Sequence, residues 1–254
     1  MSSIKTLQEI ARMRNGGQKL ARVMRSLQEE IRLGISTGEL DKKAGEFIKR
    51  EGAEIAFRGY QGFPRNICIS LNEEVVHGVP ADDRFLKEGD LVTLDIGLMW
   101  DGLYADMART FSMPGASPEA VRLSRITKKA LKLGIKKARV GNTVGDIGNT
   151  IQRFVEQQGY AVVQNLCGHG IGRELHEEPQ VLNYGKRHTE ERLRVGMVLC
   201  IEPMVVMGSG EKSVAALLQE GSQTFVSPPG TLSAHFEDMV AILEDGPEVL
   251  TKDE

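Results

Sequence analysis

The chain has few cysteines, no long apolar run and no surplus of positive charge, and each absence removes a class of protein. The cysteines are three, Cys68, Cys167 and Cys200. An odd number at wide spacing supports neither a disulfide framework nor a thiolate zinc cluster. Each lies in an apolar run, so they read as small core residues in a reducing compartment. No stretch approaches the roughly 18 consecutive apolar residues that cross a membrane. The opening MSSIKTLQEIARMRNGGQKL is broken by charges and lacks the apolar core of a signal peptide. A net charge of -3 and a pI near 6.0 argue against nucleic acid as the main ligand, which requires a basic surface. No linker or low-complexity segment divides the 254 residues, so they form one large domain or two small ones.

What is present is patterned as α+β. Leu7, Ile10, Leu20, Val23, Met24, Leu27 and Ile31 recur at helical spacing, and Asn15-Gly16-Gly17 is expected to break that helix. Thr37 reads as the N-cap of a second helix that presents Leu40, Ala44, Phe47 and Ile48 and stops at Gly52. Strands are expected at Asn66–Leu71, Leu91–Met99 and Leu103–Phe111, and helices at Pro118–Ala138 and Val144–Gln158.

An internal repeat organises these elements. Gly34-Ile-Ser-Thr-Gly-Glu-Leu aligns with Gly141-Asn-Thr-Val-Gly-Asp-Ile, an offset of 107 residues from 34 to 141. The same offset pairs Phe47 with Phe154, Gly52 with Gly159, Leu86-Lys-Glu-Gly89 with Leu193-Arg-Val-Gly196, and Asp95 with Glu202. Two similar α/β halves about a pseudo-twofold axis follow, roughly 1–115 and 116–254 within a single domain 1–254. A site between them would receive matching carboxylates from each.

Asp101-Gly102 between two apolar runs is a hairpin signal. If Trp100 pairs with Leu103, Gly97 lies opposite Asp106, and Asp95 shares its face. Gly97 then leaves a gap between two acids whose closeness calls for a cation. A single aspartate is ordinarily surface. Here Asp95 follows Leu-Val-Thr-Leu and Glu202 follows Met-Val-Leu-Cys-Ile, runs apolar enough to be buried on both faces. A carboxylate ending such a strand needs a partner, and no arginine lies in either run. His169 is flanked by glycines and followed closely by His176. A lone histidine is more often a hydrogen-bonded core or surface group. His77, after a strand, carries little signal alone, and His188 in Lys186-Arg187-His188 reads as solvated surface.

Taken together the chain resembles the type I methionine aminopeptidases, of the pita-bread metallopeptidase fold. The resemblance rests on Asn66-Ile-Cys-Ile-Ser, Glu74-Val-Val-His77-Gly-Val-Pro, Asp95-Ile-Gly, Asp106-Met-Ala-Arg-Thr110, Gly168-His169-Gly-Ile-Gly, Leu175-His176-Glu-Glu-Pro, Ile201-Glu202-Pro-Met and Phe236-Glu237, in that order over nearly the whole chain. It implies a curved, mainly antiparallel sheet with helices outside. It implies five metal ligands, Asp95, Asp106, His169, Glu202 and Glu237, holding two divalent ions of Mn, Fe, Co or Zn, about 3.5–4 Å apart in such sites. Asp106 and Glu237 would bridge them. Hydrolysis of the first peptide bond would follow, with Glu202 as general base, His176 stabilising the oxyanion and His77 on the scissile amide. Thr110 would support a ligand carboxylate. Tyr60, Phe63, Cys68, His77 and Leu175 would form the pocket for a methionine side chain. The implied partners are peptides and nascent proteins, with the ribosome as their source, met by a cytoplasmic monomer.

The chain departs from that family in places. It reads Ala234-His235-Phe236-Glu237-Asp238-Met239 where the family reads Ala-Gln-aromatic-Glu-His-Thr, and Gln223 and Leu175 stand where aromatics are common. The Glu-Asp pair is closer to Xaa-Pro aminopeptidases and prolidases, the second reading. Those relatives usually carry an extra N-terminal domain, which the roughly 60 residues before the first motif, Asn66-Ile-Cys-Ile-Ser, argue against. A non-catalytic binding homologue is the third reading, and the loss of a ligand that would mark it is not seen.

Overall fold

In a computed structural model, which describes residues 3–208, 210 and 213–252, the first element is helix α1, Leu7–Glu30. The ends of the expected domain, 1–2 and 253–254, lie outside the described residues. Thr6 caps α1 by accepting from the Glu9 amide while the Glu9 carboxylate accepts from the Thr6 amide, which satisfies two free donors of the first turn. The expected break at Asn15-Gly16-Gly17 does not occur. The glycines lie inside one continuous helix because they are its contact with the sheet. A Cβ on Gly17 would stand 2.2 Å from the Leu250 carbonyl oxygen, so only glycine permits the approach. Ile10, Met13, Leu20 and Leu27, each almost fully buried, carry the helix across. At about 1.5–3 kcal/mol for each such side chain, their burial outweighs the roughly 1 kcal/mol lost per helical glycine.

Helix α2 spans Thr37–Arg50, α3 Pro118–Ile135 and α4 Val144–Gln157. The N-cap of α2 is Ser36, one residue before the expected Thr37. Ser36 accepts from the Glu39 amide, whereas the Thr37 hydroxyl is used on the backbone of Ala81. The offset of 107 residues is visible in the fold. Helices α2 and α4 are both 14 residues long, and each ends before a glycine at positive φ, Gly52 at 72° and Gly159 at 81°. The isolated bridges Ser36–Phe85 and Thr143–Arg192 stand the same offset apart.

The central sheet runs in the order Glu54–Ile55, Leu91–Trp100, Leu103–Ser112, Glu237–Leu243, Val198–Ile201, Gly168–Gly170, Glu177–Val181. Every pairing within it is antiparallel. The repeat-related strands Leu91–Trp100 and Val198–Ile201 flank the two inner strands, so the pseudo-twofold axis passes between Leu103–Ser112 and Glu237–Leu243. Helices α1 and α2 share one hydrophobic core with the first-half strands, and α3 and α4 share another with the second-half strands. Cys68–Leu71 pairs outside Leu91–Trp100, anchored where the Asp41 carboxylate accepts the amides of Asn66 and Ile67.

The two glycines of α1 separate contact from propensity. Gly17→Ala should destabilise the protein by about 1–3 kcal/mol through overpacking. Gly16→Ala, whose Cβ would meet nothing closer than 3.9 Å, should stabilise it by about 0.5–1 kcal/mol. Urea unfolding of the two variants decides. Equal effects would mean that Gly17 does not set the distance between helix and sheet.

Candidate metal centre and active site

Strand register alone brings the expected ligands to one face. Trp100 pairs with Leu103 across Asp101-Gly102, and Gly97 pairs with Asp106, as the hairpin signal requires. Both turn residues have positive φ, 54° and 71°. Asp95 lies opposite Ala108, and Ala108 lies opposite Glu237 on the strand across the axis. Met239, two residues beyond Glu237, pairs with Cys200, and Cys200 pairs with His169. Directly opposed side chains share a face, and so do residues two apart. Asp95, Asp106, Glu237, Glu202 and His169 therefore all project from one side of the sheet. The gap beside Gly97 is not left open between the acids, as the sequence suggested. The Phe57 ring fills it, 2.5 Å from where a Gly97 Cβ would stand.

All five side chains line one cavity of about 660 Å³. Donor atoms of Asp106, His169, Cys200 and Glu237 lie within 4.8 Å of one another, as do those of Glu202, His235 and Glu237. Glu237 belongs to both groups, as a bridging ligand should. Asp95 belongs to neither, although it shares their face. The Cys200 thiol, pushed well up by burial and neighbouring carboxylates, stays protonated and hydrogen-bonds Glu237.

Electrostatically the site is unbalanced. Asp95, Asp106, Glu202 and Glu237 are buried, and among the described residues no lysine or arginine lines the cavity. Arg109 is near but faces the other side, where it holds the Glu237 carbonyl and the Asp238 carboxylate. Burial pushes Asp95 up to about 6, and burial with mutual repulsion lifts Asp106, Glu202 and Glu237 well above the carboxylate range. Burial lowers His169 to about 3 and His77 and His235 to about 4, so these imidazoles are neutral and cannot supply the missing charge. Asp95 Oδ1, Asp106 Oδ1 and Glu237 Oε1 are buried without a hydrogen-bond donor. The His169 Nδ1–H donates to the Gly170 carbonyl at 2.8 Å, which leaves the Nε2 lone pair facing Glu202 at 3.6 Å. Orphaned carboxylates and one oriented imidazole are what a divalent cation of the Mn, Fe, Co or Zn kind requires. The donor set fits.

The remaining expected residues meet in the same cavity. Tyr60, Phe63, Cys68, His77 and Leu175 all line it. The Tyr60 hydroxyl lies 2.8 Å from His176 Nδ1, and the His169 and His176 rings stand edge to face at 4.3 Å. His176 sits on a turn held from beneath. Glu177 accepts the amides of Arg173 and Glu174, and its other oxygen pairs with the buried Lys5 ammonium. His77 is fixed at φ 58°, with its carbonyl accepting from the Thr224 hydroxyl and its ring against Phe225. His188 is exposed at the surface, as expected.

Other expectations are corrected. The Thr110 hydroxyl bonds the backbone N–H and carbonyl of His235 and the Thr93 hydroxyl, with no ligand carboxylate among its partners. Asp238 points away from the cavity to Arg109 and Thr251, as the alternation of its strand demands. The departure there alters an ion pair, not the wall of the site. Cys167 is half-buried and lines the cavity instead of filling the core. Phe57, Met204 and Phe225 complete the apolar wall, and Gln223 reaches it with its amide on the Gln61 carbonyl. His235, buried 3.3 Å from Glu202, was missed. Its place two residues before Glu237, one strand period away, was the available signal.

Raised carboxyl pKa values make metal binding compete with protons. A carboxyl lifted above its ordinary value still holds its proton where a free one would be charged. An incoming ion must displace it, so binding strengthens as pH rises. Metal-free protein should release protons on taking up Mn(II) or Co(II), and affinity should fall as pH drops through about 6, where Asp95 becomes protonated. Calorimetry in two buffers of different ionisation enthalpy measures the released protons. Affinity that stays constant between about pH 5 and pH 7 would contradict this account.

Comparison with known proteins agrees with the geometry. Residues 11–244 match metallopeptidase family M24. A methionine aminopeptidase of Clostridium perfringens is 46% identical over 251 residues, 99% of each chain. The crystal structure of methionine aminopeptidase from Thermotoga maritima superposes with a TM-score of 0.95 at 39% identity, covering 100% of both chains. The prolidase of Pyrococcus horikoshii superposes at 0.78 with 25% identity, covering 99% of this chain but 64% of its own. Matched along nearly its whole length, the chain belongs to metallopeptidase family M24.

Proposed function

We propose that this chain is a metal-dependent aminopeptidase that removes N-terminal methionine from peptides and newly made proteins. The observation that carries the reading is the row of four buried carboxylates, uncompensated by any cationic side chain among the described residues lining the cavity, with an oriented imidazole beside them at its floor. The names of the full-length relatives support methionine as the residue removed.

On this reading Asp95, Asp106, His169, Glu202 and Glu237 would hold divalent ions. The chemistry such ions supply when bound is Lewis acidity toward the scissile carbonyl and an acidified attacking water. Glu202 accepts the proton of that water, a role suited to a buried carboxylate of raised pKa. The Tyr60 O–H donates to His176 Nδ1, which leaves the proton on Nε2 to meet the developing oxyanion. His77, held rigidly at the rim, faces the scissile amide. Tyr60, Phe63, Cys68, Leu175 and His77 receive the methionine side chain, whose thioether packs well on aromatic edges. The acidic floor favours a free α-amine over an internal peptide bond. The substrates on this reading are cytoplasmic peptides and chains emerging from the ribosome.

Metal-stripped protein should release methionine from Met-Ala-Ser, and leave Ala-Pro-Ala intact, once Mn(II), Co(II), Fe(II) or Zn(II) is restored. Cleavage of Ala-Pro-Ala alone would place it with the proline-specific relatives. His176→Ala should lower kcat by about 10²–10³-fold, the usual effect of removing one oxyanion donor, without changing metal content. An unchanged kcat would remove His176 from the mechanism.

A further inference from the structure

His235 has no part in the mechanism above, yet it is 1% exposed and sits against its central acid. Its Nε2 lies 3.3 Å from Glu202 Oε2, while His169 Nε2 faces the other oxygen, Oε1, at 3.6 Å. The Thr110 hydroxyl donates to the His235 carbonyl and accepts from its N–H, so the residue is clamped at the backbone. The two imidazoles differ in one respect. His169 Nδ1 has a carbonyl acceptor, which puts its proton on Nδ1 and exposes the Nε2 lone pair as a ligand. Neither ring nitrogen of His235 completes a hydrogen bond, so no acceptor holds a proton on Nδ1. The Glu202 carboxylate, 3.3 Å from Nε2, is near enough for a small turn of the ring to complete a hydrogen bond, which favours the proton on Nε2.

We propose that His235 is the positioning residue of Glu202: its Nε2–H holds Oε2, so that Oε1 is turned toward His169 and the metal centre. His235 is thereby a donor to a ligand and not itself a ligand, although its ring lies close enough to be mistaken for one. The proposal rests on the reading of Glu202 as a ligand and base. Without this donor the carboxylate could rotate, and an ion held by His169 and Glu202 would lose a fixed oxygen.

The test uses the full chain with ¹⁵N-labelled histidine, its peaks assigned by their loss in His235→Gln. In metal-free protein, two-bond ¹H–¹⁵N spectra should show His235 protonated at Nε2 and His169 at Nδ1. After loading with ¹¹³Cd(II), cadmium coupling should appear on His169 Nε2 and be absent from His235. His235→Gln, which keeps an N–H donor, should bind Co(II) within about threefold of the parent. His235→Leu should lose about ten- to a hundredfold, the usual effect of removing a partner of a ligand. Cadmium coupling on His235, or a proton on its Nδ1 in the metal-free protein, would overturn the proposal. So would parental Co(II) affinity in His235→Leu. Should that variant fail to fold, the tautomer in the parent still decides. If no histidine couples to cadmium, the metal reading of the site fails instead, and the tautomer remains a separate result.

Discussion

Four carboxylates on one buried face repel one another, and among the described residues no cationic side chain lines the cavity they share. Most buried acids in folded proteins are compensated by arginine, lysine or a dense set of backbone donors. Asp41 is an example within this chain, with two amides and the Asn66 side chain on its carboxylate. The acids of the cavity lack such compensation, and three of their oxygens have no donor. A divalent cation resolves the repulsion, and the lowered pKa values of the surrounding histidines keep nitrogen lone pairs available to it. The other features of the site follow from holding this arrangement together.

The hold comes from the symmetry of the fold. The axis between Leu103–Ser112 and Glu237–Leu243 brings Asp95 and Asp106 from one half against Glu202 and Glu237 from the other. Neither half alone would place more than two acids side by side. Each half backs its strands with its own pair of helices, so the face is fixed by two cores and not by loops. Gly17 sets the distance of α1 from the sheet. Lys5, just before that helix, reaches Glu177 and so steadies the turn that carries His176. A contact at the start of the chain thus bears on the group assigned to the oxyanion.

Much of this was legible because it follows from period and register. The Asp-Gly turn fixes the pairing of its strands, and that pairing puts Asp95 and Asp106 on one face. The offset of 107 residues likewise foretold that each half would bring carboxylates to a shared site, and Asp95 and Glu202 line the same cavity. What escaped depends on contacts distant in sequence. Glycine at 16 and 17 looks like a helix stop unless Leu250 is known to lie beneath it. The space beside Gly97 looks vacant unless Phe57 is known to enter it. Thr110 and Asp238 were read from the family resemblance, whereas strand alternation and cross-strand partners decided where each points. His235 was passed over because, beyond its place two residues before Glu237, its interest arises from nearness to Glu202, which lies between two other strands.

The central claim is that these five side chains exist to hold divalent ions. The most direct measurement is an anomalous difference map from a crystal of the protein soaked in Mn(II) or Co(II), recorded at the metal edge. The account predicts density at the cavity floor within coordination distance of Asp95, Asp106, His169, Glu202 and Glu237, with Glu237 shared between two peaks. A map with no density there, from a crystal shown by its fluorescence to contain the metal, would contradict it.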